Sequence, residues 1–158
     1  FYLNELLLRL CPLEEMMSET FQQYHLTLQH LQKLAEHPQA DLFLRQILRQ
    51  FEHALLEELG YPLDYGHDSN QQEIMLTQRY QFQLAEGFTP VSYTSSGTLL
   101  GQQILSMANY EKGRDFSPEQ LQLLAKLYRQ MITSLLGDRP LKSRQLWVQN
   151  AQSKTLSR

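Results

Sequence analysis

Two groups of cations are the residues of this sequence best placed to do chemistry. Arg45 and Arg49 lie four residues apart, so on a helix they share one side. Ile47 and Leu48 stand between them. Guanidinium forks beside an aliphatic wall suit an acidic-hydrophobic peptide, the forks taking carboxylates and Leu48 a side chain. On spacing alone, pairing within the helix is the favoured reading, because Glu52 follows Arg49 by three residues. The second group, Arg139, Lys142 and Arg144, surrounds Pro140 just beyond an expected helix end. Cations there either satisfy terminal helix carbonyls or contact phosphates.

Other chemistry is thinly represented. No Walker A loop, dinucleotide glycine fingerprint, HExxH or GxSxG occurs. His53 and Glu57 share a helix side, but no third ligand is evident, so a surface hydrogen bond is expected rather than a metal. His67-Asp68 reads as turn chemistry. The lone Cys11 permits no internal disulfide and no CxxC knuckle, and reads as a packed thiol in a reducing cytoplasm. No catalytic residue and no cofactor are assigned.

The 158 residues can bury a real core, and 42% apolar with 20% charged residues is a globular balance. No apolar run is long enough to span a bilayer and no signal-peptide pattern opens the chain. The first residue is Phe1, and Phe1 to Leu8 already reads as helix interior, as in a piece of a longer chain. A net charge of −3 argues against wholesale coating of nucleic acid. The charge is uneven. Residues 137–158 hold five cations against Asp138, or +4, which leaves −7 on residues 1–136. Such a basic end on an acidic body suits local contact with an anion, or is a solvated tail.

The elements that must carry these groups follow from periodicity. Leu3, Leu6, Leu7 and Leu10 form a first helix, stopped by Pro12. Met17, Phe21, Tyr24, Leu28, Leu31 and Ala35 form the stripe of a second, closing near His37-Pro38. Leu44, Leu48, Phe51, Leu55 and Leu59 mark a third from about Asp41, stopped by Gly60. Tyr61 to Glu73 reads as loop. Tyr80, Phe82 and Leu84 alternate with glutamines, Glu86-Gly87 signals a turn, and Phe88, Val91 and Tyr93 supply a return strand. Helix is expected again from Thr98 to Asn109, and Tyr110 to Phe116 is a charged loop. Ser117-Pro118-Glu119-Gln120 is a capping box that starts a helix with Leu121, Leu124, Tyr128, Ile132 and Leu135 inward, stopped by Gly137. Leu141 to about Asn150 reads as a short last helix. The fold class is therefore mainly α, a helical bundle with a small inserted β-hairpin. It is read as one domain over 1–150, with the insertion near 74–94 and a flexible tail at 151–158.

Three ordered stretches resemble one family. Tyr2-Leu3-Asn4-Glu5-Leu6-Leu7 resembles the helix that follows the N-terminal OB domain of the bacterial recombination mediators of the RecO family. Leu48-Arg49-Gln50-Phe51-Glu52, running on to Leu59-Gly60-Tyr61, is similar to the family's LRRFE-to-LGY helix. Gly137-Asp138-Arg139-Pro140-Leu141-Lys142-Ser143-Arg144 is similar to its closing G-x-x-PLKSR motif.

The resemblance implies a non-enzymatic protein of DNA repair and recombination. Such a protein binds single- and double-stranded DNA, anneals strands, and loads RecA together with RecR. It is recruited by the acidic C-terminal tail of single-stranded-DNA-binding protein. It implies tail binding at Arg49, which matches the first arginine of LRRFE, with Arg45 and Leu48 added on the spacing above. It implies DNA-facing roles for Lys142 and Arg144, and Arg139 joins them. It implies a bacterial cytoplasmic, nucleoid-associated protein without a membrane. Gln50 departs from the second arginine. Many members carry a four-cysteine zinc site after LGY, whereas residues 62–93 contain no Cys. A zinc-less hairpin held by Tyr80, Phe82 and Leu84 is the expectation, with no metal. A purely structural or oligomerisation domain is the alternative.

Overall fold

Helices dominate because the apolar residues of most segments recur every three to four positions. In the computed structural model, residues 1–12, 16–108, 115–139 and 141–143 are described. They form α1 (Tyr2–Leu10), α2 (Ser18–Gln32), a 3-10 turn (Leu34–Glu36), α3 (Ala40–Glu58), β1 (Arg79–Gln83), β2 (Gly87–Val91), β3 (Thr98–Leu100), α4 (Gly101–Ala108) and α5 (Pro118–Leu136). No described helix is long and apolar enough to cross a membrane.

One apolar cluster joins these elements. Leu3 and Leu6 of α1, Phe51 and Leu55 of α3, Ile104 and Met107 of α4, and Leu121, Leu124 and Met131 of α5 all lie inside it. Tyr80, Phe82 and Phe88 of the sheet pack into the same cluster. Helix ends follow local chemistry. Ser117 Oγ accepts the Gln120 amide at 3.2 Å, and Gln120 Oε1 accepts the Ser117 amide at 2.8 Å, closing the expected capping box. Gly60, at φ 88°, takes the left-handed turn after α3.

The sheet is antiparallel with strand order β2-β1-β3. Phe82 faces Phe88 across the hairpin, and Pro90 lies on edge strand β2 opposite Tyr80, where its missing N–H does no harm. Leu84 packs against the core just past β1. The expected hairpin is therefore present, with two corrections. The return strand stops at Val91, and Tyr93 beyond it is half exposed, with its hydroxyl donating to Gln81 Oε1. Thr98–Leu100 is a strand rather than the start of a helix, because it pairs with Arg79–Gln81 and covers the second edge of β1. Helix begins only at Gly101.

The second helix also differs from its expected stripe. Met17, Tyr24 and Leu31 face inward, but Phe21 and Leu28 are exposed, and Thr20 and Thr27 are fully buried in their place. Both rows repeat every three to four residues, so the sequence pattern alone cannot choose between them. Burial of Thr27 is tolerable because its hydroxyl donates to the Gln23 carbonyl at 2.7 Å. Ser18 begins α2 without a side-chain cap of its own. Instead the Glu58 carboxylate, at the end of α3, accepts the Thr20 amide at 2.8 Å and the Glu19 amide at 3.3 Å. Burial pushes the Glu58 carboxyl up, but its contacts with Thr20, Glu19 and Ser18 outweigh that and hold it low.

Candidate functional site

The third helix places Arg45 and Arg49 one turn apart, but in different surroundings. Arg45 lies in solvent, its side chain 54% exposed, and its Nη2 meets the more exposed Asp41 Oδ2 at 2.9 Å. Leu48 is half buried against the core. Arg49 turns into the seam with α1. Its Nη2 donates to Glu52 Oε1 at 2.7 Å, and both side chains are largely buried. The Tyr2 hydroxyl donates to the same Glu52 oxygen at 2.6 Å. Glu52 thus ties the first helix to the third through one carboxylate, and the expected intrahelical pairing of Arg49 is present.

The closing basic segment is held in the same manner. Glu5 sits on the inner side of α1, only 9% exposed. Its two oxygens accept the Lys142 amide at 2.7 Å and the Ser143 amide at 2.9 Å. Residues 142–143 form a helical turn, so Glu5 acts as an N-terminal cap from 137 residues away. Arg9 lies 3.8 Å from Glu5 and donates through Nη2 to the Arg139 carbonyl. Leu141 and Ser143 are buried, while Arg139 and Lys142 expose their side chains. Arg144 lies outside the described residues, as do most of the expected last helix, the 151–158 tail and most of the 110–116 loop. Among the described residues, this segment turns its backbone, Leu141 and Ser143 inward and the cations Arg139 and Lys142 outward.

Burial pushes the Glu5 carboxyl up. Contacts with Ser143 and Lys142 and the charge of Arg9 outweigh it, so its pKa lies below the ordinary value of 4.5. A depressed folded pKa means that the carboxylate adds stability above the unfolded value. That contribution is lost as pH falls from about 4.5 through the folded value. Glu58 adds to the same window. Glu5→Gln turns an amide nitrogen toward one of the two backbone donors and is expected to lower stability by about 2 kcal/mol at pH 7. Urea unfolding followed at pH 7 and at pH 3.5 checks this. The variant and the native chain should differ less at the lower pH, and a constant difference would contradict the cap.

The histidines are structural in geometry. His53 Nε2 lies 3.5 Å from Glu57 Oε2, and its Nδ1 lies 3.1 Å from the Tyr128 hydroxyl on α5, a partner that sequence spacing did not indicate. His67 Nδ1 is 3.0 Å from Asp64, whose carboxylate also accepts the Gly66 amide. Among the described residues no three His, Cys, Asp or Glu side chains gather as a metal site. Cys11 packs beside the core, and burial, with the nearby charge of Glu58, pushes its thiol up.

Sequence comparison agrees with this arrangement of motifs. The family described as Recombination protein O C terminal matches residues 1–145. Proteins named DNA repair protein RecO are similar along nearly the whole chain. The one from Pseudoalteromonas translucida is 36% identical over 149 residues, covering 94% of this chain and 60% of the relative. One from Pseudomonas putida is 37% identical over 146 residues, covering 92% and 60%. One from Cellvibrio japonicus is 38% identical over 152 residues, covering 94% and 60%. The chain thus spans about 60% of the length of these relatives. With the Glu52-tied LGY helix and the Glu5-capped closing motif both in place, and the match running over residues 1–145, the chain belongs to the RecO C-terminal family.

Proposed function

We propose that this chain is the helical part of a non-enzymatic recombination mediator in DNA repair, recruited by the acidic C-terminal tail of single-stranded-DNA-binding protein. In this reading it binds single- and double-stranded DNA, supports strand annealing, and loads RecA with RecR at the bacterial nucleoid in the cytoplasm. The observation that carries the reading is the family match over residues 1–145, with relatives named for DNA repair.

Arg45, Leu48 and Arg49 are the proposed tail contact. Arg45 supports it best. Its ion pair with Asp41 is exposed on both sides, and such pairs are worth about 0–1 kcal/mol, so a tail carboxylate can replace Asp41 readily. Leu48 supplies the apolar wall. Arg49 joins only by releasing Glu52, a more demanding exchange. Arg139, Lys142 and Arg144 are the proposed DNA contacts. Glu5 fixes the backbone from which the exposed Arg139 and Lys142 reach outward, and binding through them should weaken steeply with salt.

A fluorescent acidic-hydrophobic tail peptide titrated with the chain tests the recruitment step by anisotropy. Arg45→Ala is expected to weaken binding about tenfold, the loss of one charge-assisted bond, without moving the unfolding midpoint. Equal affinity in the variant would remove Arg45 from the contact. A second reading, a structural helical module without a ligand of its own, is favoured by one observation. Internal carboxylates engage Arg49 and the Lys142 and Ser143 amides. That reading expects no peptide binding even by the unaltered chain.

A further inference from the structure

Clefts on this surface differ in charge. The one between α2 and α3 carries Glu19, Glu57 and Glu58. The one beneath the hairpin turn carries Asp64, Asp68 and Glu86. A third cleft, about 150 Å³, opens between the segment leading into β3 and the middle of α5, and no carboxylate lines it. Its rim is polar, with Ser96, Gln103, Lys126 and Gln130.

The donors there are not all used internally. Gln130 Nε2 donates to the Phe82 carbonyl at 2.8 Å. Gln103 accepts the Leu100 amide through Oε1 at 2.8 Å, which leaves its Nε2 donors. Ser96 is exposed. Lys126 makes no ion pair with a described residue, and residues 122, 123, 129 and 130, its neighbours along α5, include no acid. Lys126 is thus a cation without an acid beside it, on a body that carries −7 over residues 1–136.

Phe82 and Leu127 form an apolar floor, which strengthens the field of a charge at the rim. An ammonium, a hydroxyl and an amide NH₂ around a cleft free of carboxylates are a donor set for phosphate oxygens. We propose that this cleft binds a phosphate group. The phosphate is either the phosphodiester of a nucleic-acid strand or that of a small phosphorylated ligand, and the site is separate from the helix carrying Arg45 and from the closing basic segment.

Amide correlation NMR on the whole chain tests this, with inorganic phosphate and an oligothymidine strand added separately. The Ser96, Gly97 and Thr98 amides are expected to move. Movement with both additions assigns a strand, and movement with phosphate alone assigns a small ligand. Lys126→Gln changes an exposed residue. It is expected to weaken the interaction about fivefold or more, and with a strand to flatten the log–log salt slope by about 0.7. Lys126→Arg should retain binding. Stationary amides with both additions, or unchanged affinity in Lys126→Gln, would overturn the site. A strand that binds while these amides stay still overturns the cleft alone, because recruitment through Arg45 is read separately with the tail peptide.

Discussion

Glu52→Ala is expected to destabilise the fold by about 3–5 kcal/mol, because it strands a largely buried guanidinium. Arg49 exposes only 14% of its side chain, so water cannot take over from the lost carboxylate. The Tyr2 hydroxyl loses its acceptor in the same step. The charge itself does not have to be stabilising overall. Replacing both members, Arg49→Met with Glu52→Leu, should recover much of the loss, since a well-packed apolar pair in such a seam often equals a buried ion pair. Urea unfolding of the single and double variants measures the coupling. A loss below about 1 kcal/mol in Glu52→Ala would mean that water reaches Arg49 and that the seam between α1 and α3 does not depend on this pair. Arg49→Ala carries the complementary burden. A drop in peptide binding by that variant counts toward tail contact only if its unfolding midpoint is retained.

Gly101→Ala should do comparable harm by sterics alone. A Cβ there would stand 1.9 Å from the Met75 carbonyl oxygen and 2.7 Å from its carbon. The obstacle is backbone, and it is pinned. The Gly101 amide donates to the Gln78 carbonyl at 2.8 Å and the Gln102 amide to the Leu76 carbonyl at 3.0 Å. Relief requires shifting the 74–78 segment, and with it β1, or the start of α4. The expected loss is about 3 kcal/mol or more, a fall of roughly 10 °C in melting temperature for a chain of this size. Gly66→Ala is the control, because its Cβ would meet only the Asp64 carboxylate at 3.4 Å. Equal melting temperatures for Gly101→Ala and the native chain would show that the 74–78 segment yields.

The helices were legible because their inward rows are written locally. Leu121, Leu124, Tyr128 and Ile132 declare a buried side in any context, and Ser117-Pro118-Glu119-Gln120 declares its own start. Thr98–Leu100 was not legible, since three residues carry no period and their state depends on an open edge of β1. Phe21 and Leu28 misled because hydrophobicity ranks them above Thr20 and Thr27, whereas the line of contact with α3 decides burial. The candidate site was half visible. Arg45 and Arg49 stand out by spacing, and Glu52 is visible as the i,i+3 partner of Arg49. The Tyr2 hydroxyl, 50 residues away in sequence, leaves no local signal. Glu5 and Glu52 did leave one local signal, in that each carboxylate stands within an inward apolar row, next to Leu6 and Phe51 respectively. A charge in such a row must find a partner.

The Glu5 cap has a consequence in time rather than in space. Its carboxylate and the Lys142 amide it receives lie 137 residues apart in sequence. Contacts of such long sequence separation form late and slow the folding step that includes them. The closing motif therefore orders only together with the segment that carries Glu5. It must wait until the first helix has docked on α5. Until then Leu141 is exposed and the cations at 139 and 142 sit on an unfixed backbone, so whatever they contact meets a finished scaffold rather than a nascent one.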